Sequence, residues 1–130
     1  MLITKERKKE IEKLLLEYKN FDRRIEVLDM HINAASNDRP IFDGSLSIEQ
    51  LRTKKNKIIN LKKVVNNAIN ELSDEEYKIV ELRYLQRRKM TWLEIGSLVG
   101  FEKNYLCKKN KKILNRIGQF LDSFLPVLKA

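Results

Sequence analysis

The fold is decided by the stretch Thr91-Trp-Leu-Glu-Ile-Gly-Ser-Leu-Val-Gly100 and the residues that follow it. Thr91 and Glu94 have the spacing of a capping box, in which each side chain accepts a hydrogen bond from the other residue's backbone N–H at the start of a helix. Gly100 ends this short helix, because glycine tolerates the backbone conformation of a helix C-terminus. Its predicted inner face consists of Ile95, Leu98 and Val99.

The helix predicted next is strongly basic. It begins near Glu102 or Lys103 and runs through Ile117, where Gly118 stops or bends it. Residues 103–116 include six cations and no acid. Helical spacing turns the apolar side chains inward and most of the cations outward. The inward set is Leu106, Ile113, Leu114 and Ile117.

A short helix, a turn and a basic helix are typical of a helix-turn-helix, whose second helix enters the major groove of DNA. Lys and Asn side chains match the edges of guanine and adenine. We therefore predict base contacts near the start of this helix, at Lys103, Asn104, Tyr105 and Lys108. Phosphate contacts, which give affinity without sequence information, are predicted at Arg87, Arg88, Lys89, Thr91, Lys109, Lys111, Lys112 and Arg116.

The net positive charge is concentrated in the same C-terminal part of the chain. The chain of 130 residues carries a formal charge of +9. Residues 1–36 contribute +1, residues 37–72 contribute +3 and residues 73–130 contribute +5. The C-terminal part is therefore the expected partner of an acidic macromolecule, and the nearly neutral N-terminal part is left for protein contacts.

Upstream, Ser73-Asp-Glu-Glu76 is another capping box, and its acids suit the positive end of the helix dipole. The helix that it opens is predicted to stop in the basic run Arg87-Arg-Lys89.

The N-terminal part has a different pattern. Apolar residues at alternating spacings of three and four predict a single helix from about Thr4 to Ser36, roughly 50 Å long. This heptad seam consists of Ile11, Leu14, Tyr18, Phe21, Ile25, Leu28 and Ile32. Residues 37–45 predict a loop because Pro40 and Gly44 interrupt the helical pattern.

A second long helix is predicted from Ser47, where Gln50 completes a capping box. Its stripe consists of Ile48, Leu51, Ile58, Leu61, Val65, Ala68 and Leu72. Lys55 occupies a seam position, where a lysine specifies register at a cost in stability.

The predicted fold is therefore all-α, with an N-terminal antiparallel, coiled-coil-like helical hairpin and a C-terminal helix-turn-helix bundle. We place the domain boundary between residues 1–72 and residues 73–130. A single hairpin buries limited surface, so we expect it to pair with a second copy or with the C-terminal part. Of these we favour self-association, as a dimer rather than a larger assembly.

Several classes of function lack their sequence signals. One cysteine, Cys107, and one histidine, His31, supply no zinc site. No phosphate-binding loop or nucleophile elbow is present, so we expect neither an enzyme nor a cofactor. No apolar run is long enough to span a bilayer, and the first residues lack a signal-peptide pattern, so we expect a cytoplasmic protein without a membrane partner.

Two segments resemble a known family. Leu72–Tyr84 is similar to the opening helix of region four of sigma-70-type factors, and Thr91–Gly100 is similar to the first element of its helix-turn-helix. Leu106 and Lys108–Leu114 fit the helix that reads DNA. The resemblance covers about 50 of the 130 residues.

The order of a coiled N-terminal part and this C-terminal part further resembles small phage regulators of the RinA and ArpU type. This resemblance implies double-stranded DNA and RNA polymerase as partners, and activation of late or packaging genes as the task. It also places Lys103, Asn104, Tyr105 and Lys108 at the base-reading positions. Glu102 departs from the family, which has Ser or Thr as the cap of this helix.

Other interpretations stay open on the sequence. The chain is alternatively a DNA-binding packaging accessory of the small-terminase kind, or a coiled-coil adaptor whose basic face binds an acidic protein. Trp92 is interpreted as a packing residue rather than a DNA-stacking one. A C-terminal apolar cluster either covers the core or forms a dimer contact, and consists of Phe120, Leu121, Phe124, Leu125 and Leu128.

Overall fold

The computed structural model describes residues 4–36 and 47–123. These two ranges are helical and include no strand, which confirms the all-α prediction. The helices are α1 (Lys5–Tyr18), α2 (Phe21–Ser36), α3 (Ile48–Asn70), α4 (Asp74–Val80), α5 (Trp92–Val99) and α6 (Lys103–Asp122). A π-helical segment, Glu81–Leu85, continues α4 without a break. The predicted loop at 37–45 and the apolar residues Phe124, Leu125 and Leu128 lie outside the described residues.

All three predicted capping boxes are confirmed. Ser47, Ser73 and Thr91 each precede a helix and accept a hydrogen bond from the backbone N–H three residues later. In each case the Gln or Glu at that third position accepts a hydrogen bond from the cap's own backbone N–H. Backbone N–H groups at the starts of α3, α4 and α5 are thus hydrogen-bonded by nearby side chains, as the sequence indicates.

The prediction of one helix from Thr4 to Ser36 is wrong, because the chain breaks into α1 and α2 at a turn formed by Lys19 and Asn20. The buried side chains of α1 are Ile11 and Leu15, and Leu15 does not belong to the predicted heptad seam. They pack toward α6 and the π-helical segment, whereas α2 packs chiefly along α3. The break lets the two halves bury their apolar sides against different partners.

α2 and α3 run in opposite directions along their contact. Asp22 pairs with Lys62. Two turns later in α2, Asp29 pairs with Lys55, which lies two turns earlier in α3. The Tyr18 hydroxyl donates to Asn66 Oδ1 at 3.0 Å and continues the same order. Lys55, predicted to sit in the seam, is half-buried and uses its charge in this cross-helix pair.

One hydrophobic core extends across the proposed domain boundary at Leu72. It includes Leu15 of α1, Val65 of α3, Ile79 of α4 and Ile113 of α6, all of them essentially inaccessible to solvent. The division into residues 1–72 and 73–130 stays a prediction, and the side chains on its two sides pack into the same core.

Two details of the C-terminal helices differ from the prediction. α6 continues through Gly118, which is buried inside the helix, and ends only at Asp122. Phe120 and Leu121, both in this extra turn, pack with the core, and this burial explains why the helix continues. Leu98, predicted on the inner face of α5, is 64% exposed. Only Ile95 fully buries its side chain from this helix, because eight residues present a narrow inner face.

A buried tyrosine joins the N-terminal and C-terminal helices. The Tyr84 hydroxyl lies 2.9 Å from Glu12 Oε2 of α1 and 3.0 Å from Asn110 Oδ1 of α6. Burial, followed by the charge of Glu12, raises the pKa of Tyr84 well above its ordinary value. The hydroxyl therefore stays protonated and available as a donor.

Replacing Tyr84 with phenylalanine is expected to lower the free energy of unfolding by about 1 to 2 kcal/mol, because buried Asn110 then loses this hydrogen-bond donor. Urea unfolding followed by circular dichroism measures this. Tyr77→Phe is the matched control, because Tyr77 is 40% exposed and its loss should change stability by less than about 0.5 kcal/mol. Equal stability of the two variants would show that the Tyr84 hydrogen bonds contribute nothing net.

Candidate nucleic-acid interface

The relative position of α5 and α6 is set by two glycines. Gly100 adopts the left-handed conformation, with φ of 80°, and its N–H donates to the Gly96 carbonyl at 2.8 Å. A Cβ atom at Gly96 would lie 2.5 Å from the Phe101 carbonyl oxygen, so the turn passes directly over this residue. Below the turn, Ile95 and Leu106 are fully buried. The junction is therefore closely packed.

Four polar side chains form the outer face of α6: Asn104, Lys108, Lys111 and Lys112. Each lies three or four residues from another of the set, and all are exposed. Within the described residues none of the three lysines has an ion-pair partner, and neither does exposed Lys103 at the start of the helix. The structure thus brings two predicted base-reading residues and two predicted phosphate-binding residues onto one face.

Three other predicted DNA-binding residues lie on a different side of α6, facing the start of α4. The Tyr105 hydroxyl donates to Glu75 at 2.9 Å. Arg116 donates to Glu76 Oε1 at 2.6 Å, and Lys109 Nζ lies 3.9 Å from Glu76 Oε2. These side chains already have protein partners, so their polar groups act first as contacts between α6 and α4.

Glu76 is the centre of that contact. Its side chain is 4% exposed, and it also accepts a hydrogen bond from the Ser73 backbone N–H at 3.0 Å. Burial raises the pKa of Glu76, but the Ser73 hydrogen bonds and Arg116 outweigh burial and leave the pKa below its ordinary value. The carboxylate is therefore charged at neutral pH and holds both cations of α6.

The segment before α5 is organised by Arg83. Its guanidinium lies 4.4 Å from the centroid of the Trp92 ring and donates to the Met90 carbonyl at 2.7 Å. Trp92 is half-buried and packs against the core, which confirms its interpretation as a packing residue. Arg83 thereby joins the π-helical segment to the residues on either side of the start of α5.

The predicted phosphate-binding residues of that segment are all exposed, but they differ in their partners. Arg88 donates to Glu94 Oε2 at 2.6 Å, and this bond, more than any other contact, lowers the pKa of Glu94. The Thr91 hydroxyl oxygen accepts the Glu94 N–H at 3.2 Å as the helix cap. Arg87 and Lys89 have no ion pair within the described residues.

Lys89 lies beside α1, at a surface cavity of about 270 Å³ that Lys9 and Lys13 also line. Sequence reasoning missed this basic cluster, because no pattern in the chain signals that α1 packs beside the segment before α5. It also missed that Glu76 holds two cations of α6 and that Glu75 accepts a hydrogen bond from the Tyr105 hydroxyl. A Glu in a capping box has a sufficient local role and gives no sign of a partner 40 residues away.

At the start of α6, Glu102 makes no side-chain capping hydrogen bond. Its neighbour Phe101 packs against Tyr105 with ring centroids 4.6 Å apart. The first turn of α6 is thus held by ring contact and by the Tyr105–Glu75 hydrogen bond rather than by a cap.

The described ranges contain no group of three or more His, Cys, Asp or Glu side chains placed to hold a metal ion. No helix within them has the length and apolar character needed to cross a bilayer.

In comparisons with known proteins, no family model, curated protein or solved structure matches the chain. The resemblance to region four of sigma-70-type factors therefore stays a prediction.

Proposed function

We propose that the protein is a sequence-specific, double-stranded DNA-binding transcriptional regulator, in which α5, the turn at Gly100 and α6 form the helix-turn-helix. The observation that carries the proposal is the outer face of α6. Its three lysines are exposed and unpaired within the described residues, and they follow a tightly packed helix and turn. A helix with one such face fits the major groove, which admits an α-helix.

The contacts divide by position along the helix. Lys103, Asn104 and Lys108 lie toward the N-terminus of α6, where a reading helix approaches base edges. Lys111 and Lys112 lie one turn later and are assigned to phosphates. Tyr105, Lys109 and Arg116 contact DNA only by sharing or giving up their bonds to Glu75 and Glu76, so we assign the primary DNA contacts to the outer face.

The second part of the proposal concerns α2 and α3. We assign these helices, as an antiparallel hairpin, to protein contacts, with homodimer formation as one role. Activation of late or packaging genes in a phage, with RNA polymerase as a further partner, completes the proposal and rests on the resemblance to RinA-type and ArpU-type regulators.

The double variant Lys108→Ala/Lys112→Ala is expected to weaken binding to duplex DNA roughly tenfold at about 0.1 M salt, because each lysine lost leaves one phosphate charge or base edge without its partner. The slope of log K against log salt concentration should fall in magnitude by about 1, because only Lys112 of the two is assigned to a phosphate. Fluorescence anisotropy with a labelled duplex at several salt concentrations measures both quantities.

Lys5→Ala/Lys63→Ala is the matched control, because it removes the same charge from exposed positions on α1 and α3. An equal loss in both variants would reduce the effect to net charge and contradict the assignment to α6. Polyglutamate that competes as well as duplex DNA would favour an adaptor for acidic proteins instead. Selection of bound fragments from random duplex DNA then tests sequence preference.

A further inference from the structure

A groove of about 450 Å³ lies between α2 and α3, and all the residues that line it belong to these two helices. Its apolar lining consists of Val27, Leu28 and Ile58. Val27 and Leu28 are half-buried and remain accessible along the groove, whereas Ile58 belongs to the buried core and forms the floor of the groove. The pair of helices therefore has an apolar strip that their mutual packing leaves uncovered.

The remaining residues of the groove are all cations. Arg23 and Arg24 line it from α2, and Lys54 and Lys57 line it from α3. All four are exposed, and the lining includes no acid. The cross-helix ion pairs of Asp22 and Asp29 use other lysines, Lys62 and Lys55, so Lys54 and Lys57 keep their charge unpaired within the described residues.

We propose that this groove binds an acidic amphipathic helix of a partner protein, whose apolar side chains insert between α2 and α3 while its carboxylates face the cations on the two rims. A helix laid into such a groove buries apolar anchors at three- and four-residue spacing, and the charges set its orientation. The three helices together then form a more complete apolar core than the pair does.

The chemistry of the groove selects this occupant over two others. DNA offers phosphates to the rims but no apolar side chains for Val27, Leu28 and Ile58. Arg23 is paired with Glu26 at 3.5 Å, but a second copy that docked its own groove here would still bring Arg24, Lys54 and Lys57 against the same cations of its partner copy, which is unfavourable. An acidic helix satisfies both the rims and the apolar strip.

The test uses the full chain and a labelled 18-residue peptide with leucines at three- and four-residue spacing and glutamates on both flanks. Fluorescence anisotropy should show saturable binding, and Lys54→Glu/Lys57→Glu should weaken it roughly tenfold, because two attractive rim charges become repulsive. Lys63→Glu is the control on the same helix, since Lys63 is exposed and does not line the groove. That variant should change the affinity less than twofold.

Two further probes separate the occupants. A peptide with serine in place of each leucine keeps the charge, so equal binding would reduce the effect to electrostatic attraction and overturn the proposal.

Loss of duplex DNA binding in Lys54→Glu/Lys57→Glu, to the same degree as in Lys108→Ala/Lys112→Ala, would make the groove part of the DNA surface and would also overturn it. Unchanged DNA binding together with lost peptide binding supports it, and this outcome does not depend on whether α6 reads DNA. Sedimentation of this variant as a monomer where the unaltered chain is a dimer would assign the groove to self-association and contradict the proposal.

Discussion

Replacing Gly96 with alanine is expected to lower the free energy of unfolding by about 3 kcal/mol, at the upper end of what overpacking costs. The added Cβ would lie 2.5 Å from the Phe101 carbonyl oxygen, a backbone atom that cannot rotate away. Relief requires α5 and the turn to separate, which also opens the contact with Leu106, whose Cδ1 lies 3.6 Å from the same position. Chemical denaturation of the full chain measures the loss.

Gly100→Ala is the informative comparison for Gly96. No atom lies within 4 Å of a Cβ at Gly100, so its cost comes only from the positive φ and should be about 1 kcal/mol. If Gly100→Ala proves the more damaging of the two, the close approach at Gly96 does not limit the packing of the turn. The affinity of Gly96→Ala for duplex DNA should fall as well, because the same shift moves α6 relative to α5.

Replacing Glu76 with alanine is expected to lower the free energy of unfolding by about 3 kcal/mol. The change removes an acceptor for the Ser73 N–H and the carboxylate that holds Arg116 and Lys109. The cost stays at the lower end for a broken buried pair, because Arg116 remains 51% exposed and regains water. Thermal and urea unfolding measure it.

The variant Glu76→Gln separates the charge of Glu76 from its capping role. Glutamine keeps an oxygen for the Ser73 N–H, so its expected cost is smaller, about 1 to 2 kcal/mol. Because the pKa of Glu76 in the folded chain lies below its ordinary value near 4.5, the unfolded chain takes up the proton first as the pH falls. The stabilisation by the charge is present above pH 4.5 and is lost as the pH falls through the folded pKa.

The stability difference between the unaltered chain and Glu76→Gln should therefore shrink on acidification below pH 4.5. A difference that stays constant from pH 7 to pH 3 would show that the carboxylate charge does not stabilise the contact between α4 and α6.

The helix starts were predictable because their signals are local. Each capping box lies within four residues, beginning at Ser47, Ser73 or Thr91. Its two side chains hydrogen-bond to backbone N–H groups of the same four residues, independently of the rest of the chain. The end of α5 at Gly100 is similarly local, since a positive φ is easiest for glycine. The all-α class followed from these signals and the periodicity between them.

The break between α1 and α2 was not predictable in the same way. The heptad seam from Ile11 to Ile32 is continuous in the sequence, so periodicity alone extends one helix through Lys19 and Asn20. Burial of Leu15 against the C-terminal helices, which depends on residues about 100 positions later, overrides the pattern. The end of α6 was misplaced for a related reason, because the packing of Phe120 and Leu121 carries the helix past Gly118.

For the candidate interface, helical spacing correctly separated the buried residues of α6 from the exposed ones. Leu106, Ile113 and Ile117 are buried, whereas Lys108 and Lys112 are exposed. Spacing alone could not divide the exposed residues into an outer face and a flank that meets α4, since that division depends on where Glu75 and Glu76 lie in space.

The position of α1 also affects how the chain folds as it is made. α1 packs against α6, and an ion pair joins Arg7 to Asp122, 115 residues apart. α1 is synthesised before the other described helices, so Ile11 and Leu15 lack the α6 side of their core until α6 has been completed. Such long-range contacts slow folding, because a large loop must close before they form. The surface of α6 proposed to read DNA is therefore held in its final position only after the start and the end of this core have met.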